Sequence, residues 1–429
     1  MVTGTSKTGA QPAGTGGGRP EVPRRAYYPV LGTSLAANVN ADFMTVAVPL
    51  WAVMLGATPA EIGIMIGARS LLPFLLAIYG GVLMDRFGTR RMMLIFTAVA
   101  TALVPLYPLS PWFPALVALQ MMTGLLANLS WIGAQTLIAR IGRGDPYYLG
   151  MFSFTSRVGS IGAPAAIGLI WDLTGHWGAF TAATVTGVVL TGCTALVPRW
   201  AETHGLDPAH HPGAGKSLGW RGLMPNLRDY VDTLALLAMP AVALGISIAL
   251  LRHTPQTIQG SFYITYLNEI GMQATVIGAL ISCAEVAGAF GSLLAAPLMR
   301  RFPAHWILVV FTMVAIAMVS LTPVLGGIIL LLGAAQIFRG VSHGLLHPAT
   351  FSVISKALPA QMQAQGVALR TTGNRLGAVI LPVIMGFVAE AVGVKISFLV
   401  VGCGLMAIVA AIGFAVSRNK AFVGPRGAA

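Results

Sequence analysis

Side chains able to carry charge or hydrogen bonds recur at helical spacing inside otherwise apolar stretches of this chain. Asn38, Asp42 and Thr45 stand at i, i+4 and i+7, which is one face of a helix. Arg252, Gln256 and Gln259 repeat that spacing, with Tyr263 a turn beyond and His253 alongside. Asn128, Trp131 and Gln135 make a third stripe, and Arg339, His343 and His347 a fourth. A guanidinium suits an anionic group gripped in fork geometry, and imidazole changes charge near neutral pH. His343 and His347 also have the spacing of a metal pair. No third Cys, Asp or Glu stands near them in sequence, so protonation or anion contact is the expected role, with no metal and no cofactor. The carboxylates embedded in apolar sequence are Asp42 and Glu285. A buried carboxylate that meets an arginine in only one of two conformations loads and releases a proton. Glu285 reads equally as a fixed ion-pair partner of Arg252.

The elements that position these groups follow from composition. Of 429 residues, 56% are apolar and 9% charged, where soluble domains carry about a quarter charged. No charged residue occurs from Met92 to Ala139, and none from Phe302 to Phe338 with His305 neutral. A membrane span needs about 20 apolar residues, so each stretch holds more than one, divided by turn chemistry at Pro108–Pro111 and Thr322–Gly327. Short alternating segments, the mark of a membrane β-barrel, are absent. The pattern predicts an all-α membrane protein with twelve spans near 27–55, 61–84, 92–109, 112–139, 147–173, 177–197, 233–267, 273–299, 304–322, 326–355, 362–390 and 394–416.

Charge sets the expected orientation. Most of the 26 Lys and Arg residues fall between spans on the side of the chain ends, and Lys395 is alone on the opposite side. This positive-inside bias places both termini in the cytoplasm, in a bacterial-type inner membrane. The net charge of +13 therefore reports topology rather than a nucleic-acid partner. Residues 1–26 read as a disordered cytoplasmic tail and 417–429 as a second tail. The polar segment 198–232 reads as a linker between halves 27–197 and 233–416.

The two halves follow one plan. Gly56, Ile62, Gly63 and Ile66 recur 215 residues later as Gly271, Ile277, Gly278 and Ile281. Without a gap, Arg157, Gly159, Pro164, Gly168, Asp172, Gly175 and Phe180 recur 218 residues later as Arg375, Gly377, Pro382, Gly386, Glu390, Gly393 and Phe398. Matching odd spans with odd spans gives two parallel six-helix repeats, related by an axis along the membrane normal.

Between spans 2 and 3 lies Gly81-Val-Leu-Met-Asp85-Arg86-Phe-Gly88-Thr-Arg90-Arg91. Gly81 permits close helix approach, Gly88 supports a tight turn, and Asp85 accepts hydrogen bonds from arginines or a helix N-terminus. The run resembles the loop 2–3 signature of the major facilitator superfamily, G-x-x-x-D-R-x-G-x-R-R, with each defining position filled. The second copy, Leu298-Met-Arg-Arg-Phe302-Pro303, lacks the acid and the glycine. The resemblance covers about residues 27–416. It implies a latch that holds the halves in the outward-facing state, and a central cavity lined by spans 1, 4, 7 and 10, which carry the four polar stripes. Arg157 and Arg375, with Pro164 and Pro382, are expected as gate or structural residues. The span 5 run Gly159–Gly168 resembles the glycine–proline motif of drug/proton antiporters, with Ala163 interrupting Gly-Pro. Span 4 carries Gln120 where those antiporters often carry Arg.

The resemblance thus implies alternating-access movement of a small organic solute, proton-coupled, with efflux favoured, by a monomer in the lipid bilayer. Uptake of an organic anion is the alternative, because Arg69, Arg157, Arg252, Arg339, Arg370 and Arg375 outnumber the two interior carboxylates. A non-transporting sensor or assembly protein is a further one. Neither a Walker loop nor a nucleophile motif points to an enzyme.

Overall fold

A computed structural model describes residues 22–143, 145–202, 247, 250–251, 253–357 and 363–418. The helices are α1 (Arg24–Met54), α2 (Pro59–Phe87), α3 (Thr89–Leu103) and α4 (Phe113–Ile141), with a short turn Leu106–Leu109 between the last two. One continuous run, Pro146–Leu196, is two helices, broken where Gly175 takes φ 69° and ψ −166°. We call its parts α5 (146–174) and α6 (176–196). The described part of α7 (253–269) contains a π-helical turn, Gln259–Tyr263. There follow α8 (Ala274–Arg301), α9 (Ala304–Ser320), α10 (Ile329–Ala357), α11 (Gln363–Val392) and α12 (Val394–Arg418).

The described helices follow the predicted plan of twelve helices in two pseudo-symmetric bundles, α7 being described in part, and no strand occurs among the described residues. The predicted span 92–109 is present as the segment Thr89–Leu109, whose helix breaks after Leu103 and resumes at Leu106, past Pro105. The start of α7, the tail 1–21, most of the linker (203–232) and residues 419–429 lie outside the described residues. Among the described residues, eight helical segments are long and apolar enough to cross a membrane, the α5–α6 run counting once. Their outer surfaces expose large apolar side chains such as Leu173, Leu293 and Leu330, as a lipid-facing wall requires.

Local sequence explains several of the joints. Thr58 and Glu61 form a reciprocal capping box that starts α2, with Pro59 at its first position. Gly175 and its repeat mate Gly393 both take positive φ, 69° and 85°, and so break α5 from α6 and α11 from α12 alike.

The halves meet along two seams related by the repeat, on the face away from the chain ends. In one, α2 crosses α11, and a Cβ on Gly63 would collide with the carbonyl oxygen of Pro382. In the other, α8 crosses α5, and a Cβ on Gly278 would collide with the carbonyl oxygen of Pro164. Gly386 and Gly168 bring the same helices together one turn further on, against Pro59 and Ala274. Small residues at such crossings let backbones touch, which is how helices associate where solvent supplies no hydrophobic drive. Of these residues, Pro164 and Pro382, expected as gate or structural residues, and Gly168 of the antiporter-like run lie on the packing surface between halves.

Candidate functional site

Between the seams and the chain ends, polar side chains from both halves converge. On α10, Arg339 is only 2% exposed, and its neighbours are amides. Its Nε donates to Gln336 Oε1 at 2.9 Å, and its Nη1 donates to Gln256 Oε1 at 3.1 Å. Gln259 Nε2 donates to the same Gln336 oxygen at 3.1 Å. Gln336 thus joins α10 to α7, and it can reach Arg339 because residues three apart share a helix face. The π turn opens at Gln259 and closes at Tyr263, so the extra residue per turn re-aims both side chains. The Tyr263 hydroxyl lies beside Gln336 and Arg339 without a partner in hydrogen-bond geometry, and Gln259 Oε1 is likewise buried and unpartnered.

A second group gathers on the N-terminal half. Asp42 of α1 lies beside Ser160 of α5, and its Oδ2 is buried with no hydrogen-bond partner. Arg69 of α2 lies within electrostatic reach of Asp42 and Tyr107, and the Tyr107 hydroxyl meets Thr123 Oγ1 at 2.9 Å. Arg375 of α11 reaches across the interface and donates from Nη2 to Asn128 Oδ1 of α4. It also comes within electrostatic reach of Arg69.

The two groups are linked through charge. Glu285 of α8 lies within electrostatic reach both of Arg339, in its own half, and of Asp42, in the other. The interior therefore holds a chain of interacting charges, Arg69, Asp42, Glu285 and Arg339, that runs from one half into the other. Arg375 adds a third guanidinium, within reach of Arg69. Charges so deep in a bundle are expensive, and they mark a solute or ion path by default.

Several sequence-predicted residues take other places. Asn38 turns back on its own helix, its Nδ2 donating to Ser34 O at 3.1 Å. Thr45 Oγ1 donates to Ala41 O at 2.8 Å, while its methyl group packs opposite Gly260 in the π turn. Trp131 lies against Phe152, ring centroids 5.3 Å apart, inside the N-terminal half. Gln135 lines an open cavity of about 710 Å³ with Thr136, Arg140 and Arg143 at the end of α4. His343 is half-buried one turn beyond Arg339, and His253 is half-buried on α7. Arg157 forms no hydrogen bond among the described residues, so it does not share the cross-half role of its repeat mate Arg375. Arg252 and the side chain of His347 lie outside the described residues, which leaves the proposed Arg252–Glu285 pair outside them too. Among the described residues, no group of three His, Cys, Asp or Glu side chains is placed to hold a metal.

Sequence reading missed Gln336, Arg69 and Tyr107 as members of the site. The signal was present for Gln336: it is the repeat mate of Gln120, a second glutamine in an apolar span. Tyr107 gave none, because it lies next to a turn.

At the loop 2–3 signature, Gly88 takes φ 93° and makes the predicted turn. Arg90 Nη2 donates to Ala195 O at 2.7 Å and Arg90 Nε donates to Val197 O, so this arginine closes the C-terminal end of α6. Arg140 Nη1 donates to Thr89 Oγ1 at 3.1 Å, tying α4 to the start of α3. These bonds stay inside the N-terminal half, whereas the resemblance implied a latch between halves. Arg91 is exposed. Gly81 lies within α2, and the side chains of Asp85 and Arg86 lie outside what is described.

The fold is shared with solved transporters. The nucleoside transporter NupG superposes with a TM-score of 0.73 at 12% identity, covering 92% of this chain and 100% of that one. A bacterial homologue of the human lysosomal transporter Spinster, in an inward-facing and unoccupied conformation, gives 0.71 at 16% identity, covering 92% and 97%. A D-xylose–proton symporter gives 0.65 at 12% identity, covering 90% and 95%. No curated protein sequence matches the chain. The sequence pattern of the Major Facilitator Superfamily matches residues 30–255 and again 245–426, one match per half. Matched over nearly its whole length, with the duplicated twelve-helix fold and polar residues converging between the halves, this chain belongs to the major facilitator superfamily of membrane transporters.

Proposed function

We propose that this protein moves a small polar organic solute across the cytoplasmic membrane by alternating access, coupled to protons, as a monomer with both termini in the cytoplasm. The observation that carries the reading is the chain of charges Arg69, Asp42, Glu285 and Arg339. Its two carboxylates come from opposite halves, so a rocking motion of the halves changes which arginine each one faces. A carboxylate whose cationic neighbour changes between two states exchanges a proton between them. The amide cluster Gln256, Gln259 and Gln336, with Tyr263, supplies donors and acceptors for a neutral polar solute next to that chain.

A halves-closed seam away from the chain ends, together with the open cavity at the end of α4, supports an inward-facing state. Export is the direction we favour, on the span 5 resemblance, although the seam also uses Pro164 and Gly168. A second reading, uptake of an organic anion, is favoured by the excess of Arg69, Arg339 and Arg375 over Asp42 and Glu285. One experiment separates the two: thermal unfolding of the purified chain in the presence of neutral polar solutes, organic anions and organic cations. A ligand that binds the folded state raises its apparent stability. Stabilisation by neutral solutes supports the first reading, and stabilisation by anions alone replaces it with the second.

A further inference from the structure

Each seam ends in a carboxylate that reaches across to the other half and holds the start of a helix. Asp172, at the end of α5, accepts from Ala274 N at 3.1 Å, from Thr275 N at 2.7 Å and from the Thr275 hydroxyl at 2.6 Å. Its repeat mate Glu390, at the end of α11, accepts from Ala60 N at 3.2 Å. The first turn of any helix has unpaired N–H groups and a partial positive charge, so a carboxylate there forms charge-assisted bonds.

The two ends are unequal, and the inequality is informative. Helix α2 carries its own capping box, Thr58 with Glu61, so Glu390 adds to a start that is already closed. Helix α8 is preceded by Gln273, whose side chain makes no capping bond. Its first N–H groups are served instead by Asp172, from the opposite half. When the halves part on this face, α2 keeps its cap and α8 loses the one that Asp172 supplies.

We propose that Asp172 and Glu390 are positioning residues of the transport cycle: they hold shut the face away from the chain ends, with Asp172 contributing more. The proposal rests on the alternating-access reading above. Removing a helix cap shifts an equilibrium by about three- to thirtyfold. Asp172→Ala is therefore expected to raise the population open on this face about tenfold, and Glu390→Gln by a smaller factor. Asp172→Asn, which keeps one acceptor oxygen, falls between Asp172→Ala and the parent.

The test measures distances between spin labels on the full chain in lipid nanodiscs, with Cys193, Cys283 and Cys403 replaced by serine. One pair, Trp112→Cys with Val324→Cys, reports on the sealed face, and both positions are exposed. A second pair, Leu149→Cys with Phe302→Cys, reports on the face of the chain ends, and both are again exposed. Thr58→Ala weakens the cap of α2 inside its own half and is expected to leave both distances unchanged, which separates a seam effect from loss of helix stability. Lengthening of the first distance in the order Glu390→Gln, then Asp172→Ala, supports the proposal. An unchanged first distance in both Asp172→Ala and Asp172→Asn overturns it. A longer first distance without a shorter second one keeps the lock and overturns alternating access instead.

Discussion

Gly278 and Pro164 touch backbone to backbone across the two halves, and Gly63 and Pro382 make the same contact by the repeat. A methyl group on either glycine would have to displace a carbonyl oxygen that belongs to a helix and cannot yield locally.

Gly278→Ala and Gly63→Ala are therefore expected to force their seams apart. Overpacking of this kind costs about 1–3 kcal/mol, visible as a lower unfolding temperature of the purified protein. The two sites lie on separate seams, so the double variant should lose the sum of the two. Unchanged stability in both single variants would show that the seams are looser than their geometry implies.

Gln336 is the acceptor shared by Arg339 Nε and Gln259 Nε2. Gln336→Leu keeps the volume and leaves both donors without that oxygen. Leaving buried polar donors unpaired costs about 1–3 kcal/mol each, so stability and solute binding should fall together. Gln120→Leu removes a side chain whose oxygen already lacks a partner, and it should cost much less. Calorimetry of ligand binding and thermal unfolding check both.

Asp42→Asn removes the carboxylate of the N-terminal charge group. Solute flux driven by a proton gradient is expected to fall by more than tenfold, while exchange of labelled for unlabelled solute, which needs no net proton movement, continues. Equal loss of both activities would make Asp42 a solute contact rather than a coupling group.

Arg90 closes the end of α6 through Ala195 O and Val197 O. Hydrogen bonds from a charged donor contribute about 1.5–3 kcal/mol, so Arg90→Ala should lower the unfolding temperature measurably. Because both bonds stay inside one half, the distance between labels on the two halves should not change.

The fold was largely legible in the chain because a bilayer leaves so few choices. Apolar stretches from Met92 to Ala139 and from Phe302 to Phe338 can only be buried in lipid as helices, and Gly175 and Gly393 mark the breaks at matching places. The polar stripes were also legible as helical faces. Their partners were not, since Asn38 and Thr45 bond to their own helix while Gln256 reaches Arg339 on another. A helical face says which side chains share a direction; it does not say which helix lies opposite.

The sequence alone determined twelve helices, their duplication and the membrane, through hydropathy and a repeat that act over tens of residues. Only the tertiary structure decided that Asp172 caps α8 from the other half, that Arg375 reaches Asn128, and that Arg90 serves its own half. The physical reason is range. Burial and periodicity are written locally along the chain, whereas each of these bonds joins residues about a hundred or more positions apart and exists only once the helices have packed.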